Sequence, residues 1–118
     1  MGVTGIGGFF FRANDPEALS KWYAEYLGVG AGKYGKWEMQ AGTSVFSPFK
    51  ADTDYFPAGH PWMLNLRVDN RDALCEKLRA AGIEVIIKEE WDASGVGIFA
   101  RIHDPEGNPI VLWQPPIK

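Results

Sequence analysis

Apolar residues recur along this chain with two different periods, and the switches between them mark out its elements. Residues 6–12 read as a strand, with Ile6 and then Phe9-Phe10-Phe11 before Arg12. Leu19, Trp22, Tyr23, Tyr26 and Leu27 then fall on one face of a helix. Asp15 is suited to cap that helix, Pro16 to open it, Glu17 to complement its dipole and Gly28 to end it. A glycine-rich loop follows, and then two short strands at 37–40 and 43–47.

The second half repeats the plan. Residues 61–68 alternate as a strand, with Leu64, Leu66 and Val68 on one side. Asn70 predicts a cap, Leu74, Leu78 and Ala81 a buried helical stripe, and Gly82 a stop. A strand at 83–87, a loop around 92–95 and a closing hairpin complete the half. In that hairpin Asp104-Pro105-Glu106-Gly107-Asn108 supplies the turn between two alternating runs. Arg12 and Arg67 occupy equivalent places in the two halves, as do the caps Asp15 and Asn70. The order is therefore βαβββ twice, an internal repeat. The reading is a single α+β domain over 1–118, with a first module at 1–49, a linker at 50–61 and a second module at 62–118.

Composition narrows the class of partner. At 118 residues the chain is one domain with room for a real core. A net charge of −3 points away from nucleic acid and from anionic membrane. Cys75 is the only cysteine, so neither an intrachain disulfide nor a cysteine zinc cluster can form. No basic, apolar leader and no membrane-length apolar run is visible, which makes the cytoplasm the expected location. Gly5-Ile6-Gly7-Gly8 leads into a strand rather than a helix, so it lacks the helix terminus of a dinucleotide loop. Met1-Gly2 lacks the serine or threonine at the sixth position that myristoylation requires.

The closing stretch from Phe99 to Trp113 resembles the last hairpin of the vicinal-oxygen-chelate proteins, which include glyoxalase I, extradiol dioxygenases and bleomycin-resistance proteins. Ser47-Pro48-Phe49 and Ala51-Asp52-Thr53-Asp54-Tyr55-Phe56 resemble one branch of that superfamily, and the likeness spans the chain. The resemblance implies two tandem βαβββ modules whose mixed sheets curl around a cavity, and it implies a homodimer. Strand alternation then assigns sides. If Phe9 and Phe11 pack on the first helix, Gly8, Phe10 and Arg12 face the cavity. By the same logic Met63, Asn65 and Arg67 face it from the second module, with Phe99, Arg101 and His103 opposite Val111 and Trp113. Phe46 is the first-module counterpart of Val111.

Metal-dependent relatives place histidine, glutamine or glutamate where this chain has Gly8, Phe46, Met63 and Val111. None of the four suits a hard or borderline divalent ion. No metal and no other cofactor is therefore expected. The expected ligand-binding set is Phe10, Arg12, Phe46, Met63, Asn65, Arg67, Arg101, His103, Val111 and Trp113. Aromatic and apolar walls with a few convergent polar groups suit a small molecule, and the arginines suit an anionic group on it. The basic character points away from bleomycin itself.

The expected function is metal-independent binding of an uncharged or anionic aromatic molecule. The alternative is a glyoxalase-type lyase, isomerase or dioxygenase with a non-standard metal or none, for which His103 or Glu38 would be the base. A regulatory protein with a vestigial cavity is a third reading. The bland role for His60 is a surface residue of the linker, and for Asp104 a stabiliser of its own turn.

Overall fold

The caps act where the sequence places them. In the computed structural model, which describes residues 1–117, Ala18 N–H donates to the Asp15 carboxylate at 3.1 Å and Pro16 opens helix α1 (Pro16–Leu27). Gly28 ends α1 in the left-handed region at φ 68°, where a side chain would be strained. Helix α2 (Arg71–Ala80) starts the same way, with Ala73 N–H donating to Asn70 Oδ1 at 3.0 Å. Each such cap is worth about 1 kcal/mol.

Three strands form one mixed sheet: β1 (Leu64–Arg67), β2 (Ile98–His103) and β3 (Pro109–Gln114), in the order β1-β3-β2. Strand β3 is central, parallel to β1 and antiparallel to β2. Its register sets Val111 opposite both Asn65 and Arg101, and Trp113 opposite both Arg67 and Phe99. One face of the sheet carries Leu66, Ala100, Ile102, Ile110 and Leu112, packed with Cys75 and Leu78 of α2 and with Leu19 and Tyr23 of α1. Burial of these side chains is the main stabilising term, on the order of 2 kcal/mol for each large one. Burial also raises the Cys75 thiol above its ordinary range, so it packs as a protonated apolar group.

The Asp104 turn does more than reverse the chain. Asp104 Oδ1 accepts from the backbone N–H groups of Glu106 and Asn108, which steadies the turn as expected. Its Oδ2 accepts from Tyr23 Oη at 2.6 Å and from Asn108 Nδ2 at 2.7 Å. The Glu106 carboxylate takes the N–H groups of Asn14 and Asp15, at 2.6 and 3.0 Å. A turn in the second half thus anchors the first turn of the helix in the first half.

The structure departs from the repeat in the first half. Residues 6–12, 37–40 and 43–47 carry strand-like alternation but form no strand among the described residues. Phe11 packs edge-on against Tyr23 of α1 and against Trp62, as expected, whereas Phe9 meets Trp62 and Phe11 rather than the helix. What these segments lack is a partner edge, because backbone N–H and C=O groups make a strand only when another strand takes them. Ile6, Phe9, Phe10, Val45 and Phe46 are exposed as a result. In the second half, the strand expected at 83–87 is reduced to a single bridge between Ile86 and Arg101. The loop expected around 92–95 is preceded by a short helix, α3 (Glu89–Asp92).

Candidate functional site

The sheet face away from α2 centres on Arg101. Its backbone is held from both sides, by Val111 of β3 and by reciprocal hydrogen bonds with Ile86 of 2.8 and 2.9 Å. The residue is 6% exposed. Its Nη2 donates to the Tyr55 carbonyl at 3.0 Å and toward Met63 Sδ at 3.2 Å. The guanidinium carbon lies 5.1 Å from the Tyr55 ring centroid and 5.7 Å from that of Trp91. Burial lowers the guanidinium pKa from its usual range, with Tyr55 opposing the shift, yet an arginine remains a cation at neutral pH.

The linker supplies the wall. Tyr55 stacks on Phe49 at 5.7 Å and meets Trp91 edge-on at 6.0 Å, so a segment with no regular structure folds back over β2. A cleft of about 550 Å³ runs along the linker beside this group, lined by Phe49, Phe56, His60, Trp62 and Met63 among others; Met63 lines it, whereas Arg101, Tyr55 and Trp91 do not. That volume suits a small molecule. His60 is half-buried in this wall rather than on the surface: its Nδ1 faces the Trp62 carbonyl at 2.8 Å and its Nε2 faces Asn108 Oδ1 at 2.9 Å. It therefore ties the linker to the Asp104 turn.

Of the residues singled out from sequence, Asn65, Arg101, His103, Val111 and Trp113 share by alternation and register the sheet face away from α2, and Met63 meets Arg101 on it. His103 sits two places along β2 from Arg101, and its pKa is lowered by burial first and by Arg101 second, which keeps the imidazole neutral. Trp113 donates from Nε1 to the Val96 carbonyl at 2.8 Å. Arg67 is committed elsewhere. It donates to the carbonyls of Thr43 and Gln40 at 2.7 and 2.6 Å, clasping the bend at Gly42, where a Cβ would sit 2.9 Å from the guanidinium. Phe10 and Phe46 are 94% and 89% exposed, and Arg12 is exposed, so these three are not gathered with Arg101. Tyr55 and Trp91 are the contacts that sequence reasoning missed. Neither lies in a periodic run, and only a folded linker brings them to Arg101.

A divalent metal does not fit here. Met63 and Val111 offer no hard donor, Phe46 points to solvent, Gly8 has no side chain, and the Arg101 cation touches Met63 directly. Among the described residues no cluster of three or more histidine, cysteine, aspartate or glutamate side chains is placed to hold an ion.

A family model described as glyoxalase-like domain matches residues 8–113. The chain belongs to the glyoxalase-like domain family. It is thereby a member of the vicinal-oxygen-chelate superfamily. Among solved structures, this glyoxalase-like protein is similar to TnmS3, an antibiotic binding protein from Streptomyces sp. CB03234. The two are 26% identical over 98% of this chain and 99% of the other, with a TM-score of 0.63. It is also similar to a glyoxalase/bleomycin resistance protein from the same Streptomyces, 27% identical over 86% of this chain and 92% of the other, with a TM-score of 0.51. No curated protein matches it. No helix among the described residues is long and apolar enough to cross a membrane.

Proposed function

We propose that this glyoxalase-like protein binds a small aromatic molecule, uncharged or anionic, between the linker and the sheet face that carries Arg101, without a metal. The observation that carries the reading is the aromatic wall of Tyr55 and Trp91, backed by Phe49, raised over a buried arginine. A flat ring packs favourably against such a wall, and arginine adds charge recognition. The similarity to an antibiotic binding protein over nearly the full length of both chains supports a binding role.

The reading includes two βαβββ modules, at 1–49 and 62–118, enclosing a cavity that is completed in a cytoplasmic homodimer. The exposed apolar side chains of residues 6–12 and 43–47 support it, since a second chain would supply the strand edge they lack. Titration with a panel of planar aromatic compounds, followed by tryptophan fluorescence, tests the reading. Saturable quenching at one site per chain, weakened by Trp91→Phe, is expected. No saturable response across the panel would remove the proposal.

One observation favours catalysis as a second reading. His103 is a neutral imidazole next to the Arg101 cation, which is the state a general base needs. Turnover of a bound compound that is lost in His103→Gln while binding persists would establish it.

A further inference from the structure

Two arginines are buried in this protein, and the fold treats them differently. Arg71, 8% exposed, is fully compensated: Nε and Nη2 donate to Asp72 Oδ1, and Nη1 donates to Asp92 Oδ2 at 2.8 Å and to the Phe99 carbonyl at 3.0 Å. Arg101 is buried as deeply, and among the described residues no carboxylate forms an ion pair with it. Its Nε is the one buried side-chain nitrogen or oxygen without a hydrogen-bond partner among the described residues. Among the described residues Nη1 makes no hydrogen bond either, and it is not one of the buried orphans, so it is the donor that an incoming group can reach.

An uncompensated buried cation is costly, and aromatic faces return only part of that cost. A second cation lies close by, because Lys88 Nζ is 5.2 Å from the centroid of the Trp91 ring that Arg101 also approaches. Of the two acids that flank Trp91 in sequence, Glu90 is exposed and forms no ion pair among the described residues, and Asp92 is already taken by Arg71 and by the Phe99 N–H. The surroundings of Arg101 therefore hold aromatic faces, a thioether and the Tyr55 carbonyl, with no carboxylate paired to it among the described residues.

We infer that Arg101 is the recognition group for a carboxylate carried on a planar aromatic ligand, with the ligand ring against Tyr55 and Trp91. This inference rests on the aromatic-binding reading above and narrows it to anions. The carboxylate takes the Nη1 donor that the chain leaves unused, beside aromatic faces, where a charge-assisted hydrogen bond is stronger than in open water.

Calorimetric titration of the wild-type protein with 2-naphthoate and with its neutral isostere 2-naphthamide tests this without any mutation. Affinity for the carboxylate is expected to exceed that for the amide by about tenfold or more. Arg101→Gln is then expected to abolish that preference, bringing the affinity for the carboxylate down to that for the amide. Its melting temperature, measured without ligand, is expected to stay at or above wild type, whereas Arg71→Gln melts lower. Equal affinity for the two probes in the wild type would overturn the anion assignment and leave aromatic binding standing. A carboxylate preference that survives in a folded Arg101→Gln protein would overturn the role of Arg101. If neither probe binds at about 1 mM, the aromatic-binding reading falls and this inference falls with it.

Discussion

Tyr23 donates its phenolic hydrogen to Asp104 Oδ2 at 2.6 Å, joining residues 81 positions apart. Burial, reinforced by the Asp104 carboxylate, raises the Tyr23 pKa far above the ordinary phenol range, so the bond keeps its proton at any physiological pH. The same carboxylate holds its own turn, and the nearby Glu106 holds the N–H groups of Asn14 and Asp15 just before α1. The two halves of the chain are locked together at one end of the sheet, and the linker that walls the site is tethered to the same turn through His60 and Asn108.

Removing that hydroxyl should be costly for its size. Tyr23→Phe keeps the ring packing and deletes one hydrogen bond to a buried charged group, a loss of about 1.5–3 kcal/mol. Urea denaturation of the two proteins measures it. A difference within error would mean that Asp104 is satisfied by its turn alone.

Asp92 sets part of the acid response. Burial raises its carboxyl pKa, but the Phe99 N–H and the Arg71 guanidinium together outweigh burial and bring it below the ordinary value. The native state then holds fewer protons than the unfolded state between the two values. Stability from this pair is present above the usual carboxylate range and is lost as pH falls through the depressed value. Asp92→Asn is therefore expected to destabilise the protein near neutral pH, about pH 7, and much less near about pH 2. Thermal melts at the two pH values give the comparison. A pH-independent difference would separate the loss from the charge.

Cys75 is 1% exposed with its thiol pKa raised by burial, and it lies in the core beside Leu78. The native protein should resist a thiol-specific aromatic disulfide reagent, while denatured protein reacts with one equivalent per chain. Rapid labelling under native conditions would show that α2 opens easily from the sheet.

The homodimer reading makes a separate prediction. Light scattering should return twice the chain mass, and amides at 6–12 and 43–47 should resist hydrogen exchange in the dimer and lose that protection on dilution. A monomer whose amides in those segments exchange freely would rule out strand completion by a second copy.

Local signals in the sequence were legible. Asp15 and Asn70 cap as their side chains dictate, and the Asp104 turn and the alternation around it place β2 and β3 within a residue of the expected positions. Sidedness in the second half was legible too, because a strand of period two has only one other face. Pairing was not, since alternation says which way Phe10 and Phe46 point but says nothing of whether a partner edge is there. Long-range polar contacts were equally hidden. Nothing near Arg71 in sequence points to Asp92 as its partner, Glu106 gives no sign of reaching Asn14, and Tyr55 meets Arg101 only because the linker folds back.

The central claim is that an aromatic ligand is held by side chains alone. The most direct measurement is the affinity for 2-naphthoate after exhaustive dialysis against chelator, repeated after loading with Mn, Fe(II), Co, Ni or Zn and desalting, with metal content read by elemental mass spectrometry. The account predicts one unchanged dissociation constant and less than about a tenth of an equivalent of any metal per chain. Binding that appears only with about one equivalent of metal per chain would contradict it.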